Sequence, residues 1–177
     1  VIARDGIALI VHAENPVAPL TRDQVIDIYT GKLDSWSLLG GADRPITVVH
    51  KADGRSTQEL FLEHFGLHGD QIRADLVIGE NQQGIKAVAG DPYAIGYVSI
   101  GTAVYEADHG VPLRLLPLQG VPASLATLDQ GDYPLSRELN LVSQGELQAQ
   151  AQALLDFISD PAQAEIYHAY YFLPATR

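Results

Sequence analysis

The residues best suited to chemistry lie in one short segment, Lys51-Ala52-Asp53-Gly54-Arg55-Ser56-Thr57. The segment follows a β-branched run and precedes a stretch with helical spacing, so we expect it to form the loop at the start of a helix. Backbone N–H groups at a helix start are unpaired and attract anions, and the segment adds two hydroxyl donors and two cations. Gly54 would let the backbone turn tightly and approach a ligand closely. This combination predicts a cradle for an oxyanion, with five candidate binding residues: Lys51, Gly54, Arg55, Ser56 and Thr57.

The same segment also fits a purely structural role. Ser56 and Glu59 stand three residues apart, which is the spacing of a capping box that closes the first turn of a helix. Capping and anion binding depend on the same unpaired N–H groups. Both interpretations therefore stay open at this point, and the two roles can coexist.

A second loop, rich in amide side chains, precedes another predicted helix. Its sequence is Glu80-Asn81-Gln82-Gln83-Gly84, and it follows an apolar run at residues 74–78. Most loops of this composition are solvated turns. If this loop opens onto the same cleft as the first loop, its amides would supply uncharged donors, and Gln83 is its candidate ligand-binding residue.

Patterns of catalytic and metal-binding residues are missing from the sequence. There is no cysteine, no nucleophile elbow, no Gly-rich loop ending in Gly-Lys-Ser/Thr, and no ordered Ser/His/Asp motif. His64 and His68 stand four apart, but Gly66 between them indicates that the helix ends there. We therefore expect no enzyme, no cofactor and no metal site. Hydrolysis of phosphate esters is the enzymatic alternative, and the acid, base and metal groups that it requires are not visible.

Charge and composition limit the possible partners. Twenty-two acidic against eleven basic residues give a formal net charge of -11, which repels nucleic acid and anionic membrane surfaces. Because charges beyond roughly 10 Å are largely screened at physiological salt, local donors can still hold a small anion. No apolar run approaches the roughly 20 residues of a membrane span, so we expect no membrane insertion. Since the first residue is Val1 rather than methionine, we expect that an upstream segment has been removed.

The elements that position these loops alternate between strand and helix. Apolar or β-branched runs predict strands at residues 7–11, 46–50, 74–78, 94–100, 113–116 and 139–142. Helices are predicted after Thr21, after Gly54, around residues 85–89, and at residues 146–170 with an interruption at Asp160-Pro161. A Gly/Asp-rich connection, for which no helix is predicted, separates the fourth strand from the fifth. This alternation predicts an α/β fold with a mixed, mostly parallel sheet flanked by helices, in which ligands bind at the carboxyl ends of strands.

Four segments, in this order, resemble the periplasmic phosphate-binding proteins of ABC importers. They are Gly6-Ile7-Ala8-Leu9-Ile10-Val11 through Asn15-Pro16-Val17, Leu20-Thr21 through Ile28-Tyr29-Thr30-Gly31-Lys32 with Trp36, Ala94-Ile95-Gly96-Tyr97-Val98, and Tyr133-Pro134-Leu135-Ser136-Arg137. The resemblance implies a type II periplasmic-binding-protein lobe plus C-terminal helices, in a single domain at residues 1–177. Residues of about 12–136 would form the ligand-binding lobe, and residues 1–11 and 137–177 would form crossover strands and C-terminal helices of an incomplete other lobe. We expect Arg137 to pair with a carboxylate in the hinge.

The resemblance also implies a function and a location. It implies a periplasmic or extracytoplasmic solute-binding protein that captures phosphate or a related oxyanion and delivers it to the membrane subunits of an ABC importer. Part of the family's first lobe would precede the position of Val1, and its absence would expose apolar surface and allow self-association. The alternative function is an interaction or sensor module of a larger surface or signalling protein, with altered or no phosphate binding.

The predicted binding loop departs from the family pattern Arg-x-Asp-Gly-Ser-Gly-Thr. Lys51 replaces the arginine, Arg55 the serine and Ser56 the glycine, and three positions agree: Asp53, Gly54 and Thr57. Lysine lacks the bidentate fork of arginine, which Arg55 could restore from a new position. The sequence therefore leaves open which oxyanion binds.

Overall fold

The computed structural model describes residues 1–175, so the last two residues of the predicted C-terminal region lie outside the described part. Seven strands occur within this range, β1–β7, at Ala3–His12, Thr47–Lys51, Leu76–Ile78, Ala94–Ser99, Leu113–Leu115, Ser136–Leu139 and Leu173–Pro174. Seven α-helices occur there as well, α1–α7, at Arg22–Tyr29, Ser56–Phe65, Asn81–Gly90, Ile100–Asp108, Leu125–Asp129, Ala149–Ile158 and Ala164–Ala169. Short 3-10 turns lie at Trp36–Leu39, Gly69–Gln71 and Pro161–Gln163.

The strands form one mixed sheet in the order β3-β2-β4-β1-β5, and β6 and β7 also pair with β1. β2 pairs in parallel with β3 and β4, whereas β1 runs antiparallel to each of its four partners. The predicted mixed α/β fold with flanking helices is confirmed. Fewer of the strand pairs are parallel than the alternation of strands and helices predicted, because the long strand β1 runs antiparallel to every strand beside it.

The strand β1 is the central element of the sheet. Residues 7–11 are almost completely buried, as expected for a strand covered on both faces. The start of β1 pairs with β6 and β7, and its end pairs with β4 and β5. β1 therefore joins two groups of strands. The assignment of these groups to two lobes at residues 12 and 136 stays a prediction.

Helices cover both faces of the sheet and thereby fix where their own N-termini lie. Phe61 of α2 and Tyr29 of α1 belong to the core on one face. Ile85 and Val88 of α3 belong to the core on the other face. Successive strand residues point to opposite faces, so neighbouring residues of β1 contribute to both cores. The loops that precede α2 and α3 are thus held by packed helices.

Several elements differ from the sequence prediction. The connection after β4, for which no helix was predicted, contains the helix α4, because Ile100 and Ala103 form a buried apolar side at helical spacing. The last predicted strand, 139–142, was placed too late: β6 lies at Ser136–Leu139, where its backbone pairs with β1, whereas Val142 is fully solvated. The short elements α5 and β7 were not predicted, since five residues and two residues carry too little periodicity to be recognised.

The C-terminal helices expose apolar side chains. Leu154 and Phe157 on α6 and Ile166 on α7 are each more than half exposed, and neither helix buries any residue. Contiguous exposed apolar surface often marks a contact with another molecule, so self-association through these helices stays a prediction. None of the helices within residues 1–175 has the length and apolar character needed to cross a bilayer.

Candidate functional site

Three helices begin at the same edge of the sheet. The strands β3, β2 and β4 lie side by side and parallel, so their carboxyl ends meet at one edge and lead into α3, α2 and α4. Each helix start carries unpaired N–H groups and the positive end of the helix dipole. This edge therefore has the geometry that favours an anion.

The loop between β2 and α2 is open to solvent. Residues 53–56 are exposed, and Gly54 adopts a left-handed φ of 76° with free space around it, as the predicted tight turn requires. The helix begins at Ser56, with Arg55 in the N-cap position and no side-chain cap. The capping-box interpretation of Ser56 and Glu59 is therefore wrong, because Ser56 already belongs to the helix. Its Oγ instead accepts a hydrogen bond from Arg137 Nη1 at 2.7 Å.

Lys51 ends β2 and is the buried cation of this edge, with only 2% of its surface exposed. Its Nζ donates to Asn81 Oδ1 at the start of α3, at 2.8 Å. Asn81 Nδ2 in turn donates to Thr102 Oγ1 in the first turn of α4, at 3.4 Å. Burial lowers the pKa of Lys51 to about 8, an effect that Glu80 opposes and Arg55 reinforces. Because an ammonium group has three donors, one bond to Asn81 leaves donors for an anion.

Thr57 lies deeper than the rest of its segment. It is 7% exposed, whereas the residues just before it are open to solvent. An anion that reached its hydroxyl would have to sit close against the first turn of α2. Direct binding by Thr57 stays a prediction.

An ion pair joins the two predicted loops. Arg55 Nη1 lies 2.9 Å from Glu80 Oε1, and both side chains are largely exposed. Gln83 Oε1 accepts hydrogen bonds from the backbone N–H groups of Gly79, at 2.8 Å, and Glu80, at 3.1 Å. The second loop thus lies beside the first, but the side-chain carbonyl of Gln83 forms its hydrogen bonds within its own loop. Only the amide NH2 of Gln83 is left to donate to a ligand, and that role stays a prediction.

A buried carboxylate that the sequence analysis did not identify lies in the first half of β1, next to Arg137. Asp5 of β1 is 2% exposed and accepts hydrogen bonds from Ser99 Oγ at 2.9 Å and Arg137 Nη2 at 3.0 Å. The predicted pairing of Arg137 with a carboxylate is confirmed. Asp5 stands just before the apolar run of β1, and a charged residue entering a buried strand was the one available signal, since buried charges need partners.

Buried aromatic side chains form hydrogen bonds at the end of β2. Tyr97 OH lies 3.0 Å from His50 Nδ1 and accepts the backbone N–H of Lys51 at 3.3 Å. Burial lowers the pKa of His50 and raises that of Tyr97, so both side chains stay neutral near pH 7. These contacts fix the backbone from which the Lys51 side chain projects.

The histidines considered as metal ligands lie apart from this edge. α2 ends at Gly66, which has a left-handed φ of 67°, so the predicted helix end between His64 and His68 is confirmed. Within residues 1–175, no three side chains of His, Cys, Asp or Glu gather in a way that could hold a metal ion.

Comparisons with known proteins assign the fold to a family. The family described as a PBP superfamily domain matches residues 1–161. The phosphate-binding protein PstS of Bacillus subtilis is 28% identical over 176 residues, covering 99% of this chain and 57% of the relative. The protein of the same name from Borreliella burgdorferi is 24% identical over 181 residues, covering 98% of this chain and 64% of the relative. The chain therefore spans less than two thirds of the length of these curated relatives.

A solved structure gives the same assignment. A protein from Clostridium perfringens, described as a phosphate ABC transporter substrate-binding protein with bound phosphate, superposes with a TM-score of 0.87 and 31% identity. The superposition covers 99% of this chain and 71% of that protein. Because both the family match and this superposition extend over most of the residues, the chain belongs to the PBP superfamily, within the group that contains the PstS phosphate-binding proteins.

Proposed function

We propose that the protein is an extracytoplasmic solute-binding protein that captures phosphate or a related oxyanion for an ABC importer. The B. subtilis and B. burgdorferi relatives are named phosphate-binding proteins, and the C. perfringens protein was solved with bound phosphate. Transport receptors bind and release their ligand without changing it, so the proposal includes no catalytic residue. The expected partners are the oxyanion and the membrane subunits of the importer.

The observation that carries the proposal is the position of Lys51. Its buried ammonium lies at the edge where three helices begin, and it is bonded to the first residue of α3. Among residues 1–175, no carboxylate forms a salt bridge with this ammonium, and a buried cation without such a partner is unfavourable. An oxyanion at this edge would supply the missing negative charge and would also accept hydrogen bonds from the free N–H groups of α2.

The remaining predicted residues would complete the binding site. Ser56 Oγ already accepts a hydrogen bond from Arg137, so its own proton is free to be donated to an anion. Gly54 allows the loop to approach the ligand. Arg55 would supply a second cation at the mouth of the site, once the ligand competes with Glu80 for its guanidinium. Thr57 and Gln83 would add neutral donors.

Calorimetric titration of the purified protein with phosphate, sulfate and molybdate tests the proposal. We expect at least one of these anions to bind, and we expect Thr57→Ala and Arg55→Ala each to weaken binding by roughly 1.5 to 3 kcal/mol for a lost charge-assisted hydrogen bond. Arg44→Ala is the matched control, because Arg44 is exposed and precedes the opposite end of β2. Absence of measurable heat from all three anions would refute the transport function. Unchanged affinity in both variants would show that the anion binds at a different place.

A second candidate function is an interaction or sensor module with altered or no phosphate binding. The observation that favours it is the Arg55–Glu80 ion pair, because a cation already paired with a carboxylate has less to offer an anion. This candidate predicts that none of the three anions binds the parent protein, and that binding appears only when Glu80 is replaced by glutamine. The same titration on Glu80→Gln therefore separates the two functions.

A further inference from the structure

A groove next to the candidate anion site has no role in the function proposed above. It encloses about 300 Å³ between the start of α4 and the segment that follows α7, which is the lower end of the volumes typical of small-molecule sites. Its wall combines hydroxyl groups with aromatic rings, from Ser99, Thr102, Tyr105, Tyr170, Tyr171 and Phe172.

Hydrogen bonds link the groove to the anion site. Thr102 Oγ1 accepts a hydrogen bond from Asn81, which also accepts one from the Lys51 ammonium. Two hydrogen bonds thus separate the buried cation from the wall of the groove. An anion held at Lys51 would therefore be linked through Asn81 to the Thr102 side of the groove.

Two backbone segments that line the groove lie very close to each other. The carbonyl oxygen of Tyr171 lies so near Gly101 that a Cβ at residue 101 would stand 2.5 Å from it. Tyr171 itself adopts a left-handed φ of 60°, a conformation that is unfavourable for a bulky residue and that is concentrated at functional sites. Residues 170–172 all line the groove. The Tyr171 ring meets Tyr105 edge to face, with ring centroids 5.7 Å apart.

We infer that the site accepts an organic oxyanion, such as a phosphate monoester or a phosphonate, with its anionic group at Lys51 and its apolar or aromatic substituent in this groove. The inference rests on the proposed function and names its ligand class. Thr102, which Asn81 links to the Lys51 cation, suits the charged end of the ligand, and tyrosine rings suit a flat apolar group, because offset and edge-to-face contacts between rings are favourable. Inorganic phosphate would leave the groove empty.

Calorimetry with three probes tests this inference: inorganic phosphate, methyl phosphate and phenyl phosphate. We expect phenyl phosphate to bind about tenfold more tightly than methyl phosphate, which is the effect of one buried aromatic contact. Tyr105→Ala and Tyr170→Ala should each reduce this preference without changing the affinity for methyl phosphate. Both side chains are exposed by more than 40%, so neither substitution removes a core residue. Phe157→Ala, an exposed aromatic residue on α6, is the control and should leave the preference intact.

The outcomes separate this inference from the function on which it rests. If inorganic phosphate binds but phenyl phosphate binds no better than methyl phosphate, the groove is a packing surface and the inference fails, while the proposed function stands. A preference for phenyl phosphate that survives both tyrosine substitutions also overturns the inference. If none of the three probes binds, both proposals fail together.

Discussion

Replacing Lys51 with methionine should stabilise the folded protein while weakening oxyanion binding. Methionine keeps an unbranched side chain of similar length but removes the buried charge. A fall in the pKa of Lys51 from 10.5 to about 8 corresponds to roughly 3 kcal/mol of unfavourable free energy for the charged form. Loss of the hydrogen bond to Asn81 offsets about 1 kcal/mol of this gain. We therefore expect Lys51→Met to increase the free energy of unfolding at pH 7 by about 2 kcal/mol.

The pH dependence of this difference is the sharper part of the prediction. Because the folded-state pKa is lowered, the unfolded chain binds the proton more tightly, so the contribution of Lys51 to stability rises with pH between about 8 and 10.5. The advantage of Lys51→Met over the parent protein should therefore shrink across this range. In the parent protein, affinity for sulfate should fall as pH rises above about 8, because the ammonium loses its charge.

Urea unfolding of both proteins at several pH values, with anion titration of each, measures these effects. Lys86→Met on α3 is the matched control, since Lys86 is exposed and its replacement should change stability and binding very little. Destabilisation by Lys51→Met at pH 7, or a stability difference from the parent that stays constant between pH 8 and 10.5, would show that the buried charge of Lys51 is not unfavourable. Equal anion affinity in both proteins would show that Lys51 does not bind the anion.

Two further substitutions test the contacts around the site. Arg137→Leu should destabilise the fold by roughly 3 kcal/mol, because it leaves the Asp5 carboxylate buried without its cation. In the same urea assay, Arg4→Leu, which breaks the more exposed pair with Asp129, should change stability by less than about 1 kcal/mol, and equal effects of the two substitutions would contradict this explanation. Glu80→Gln should tighten oxyanion binding about two- to fivefold by releasing Arg55, and this gain in affinity should disappear in about 1 M salt, where exposed charges are screened. Unchanged affinity at low salt would show that the ion pair does not compete with the ligand.

The sequence alone was sufficient for features that depend on neighbouring residues. The apolar run of β1, the left-handed turn at Gly54 and the end of α2 at Gly66 were all predictable, because side-chain periodicity and the conformational freedom of glycine act over a few residues. The α/β fold followed from the alternation of such elements. Misassignments occurred where the local signal was weak, as for α4, whose buried side is short and which contains the weak helix formers Gly101 and Asp108.

The partners of the charged residues were decided only by the tertiary structure. Asp5 and Arg137 are 132 positions apart, and Lys51 and Asn81 are 30 apart, so no local pattern relates them. The sequence alone left Ser56 as either a helix cap or an anion donor, and the fold removed the first role by starting α2 one residue earlier and placing Arg137 against its hydroxyl. The groove at α4 likewise exists only because a segment near the C-terminus packs against Gly101. Charge pairing and cavities arise from the packing of distant segments, and that packing is a property of the whole chain.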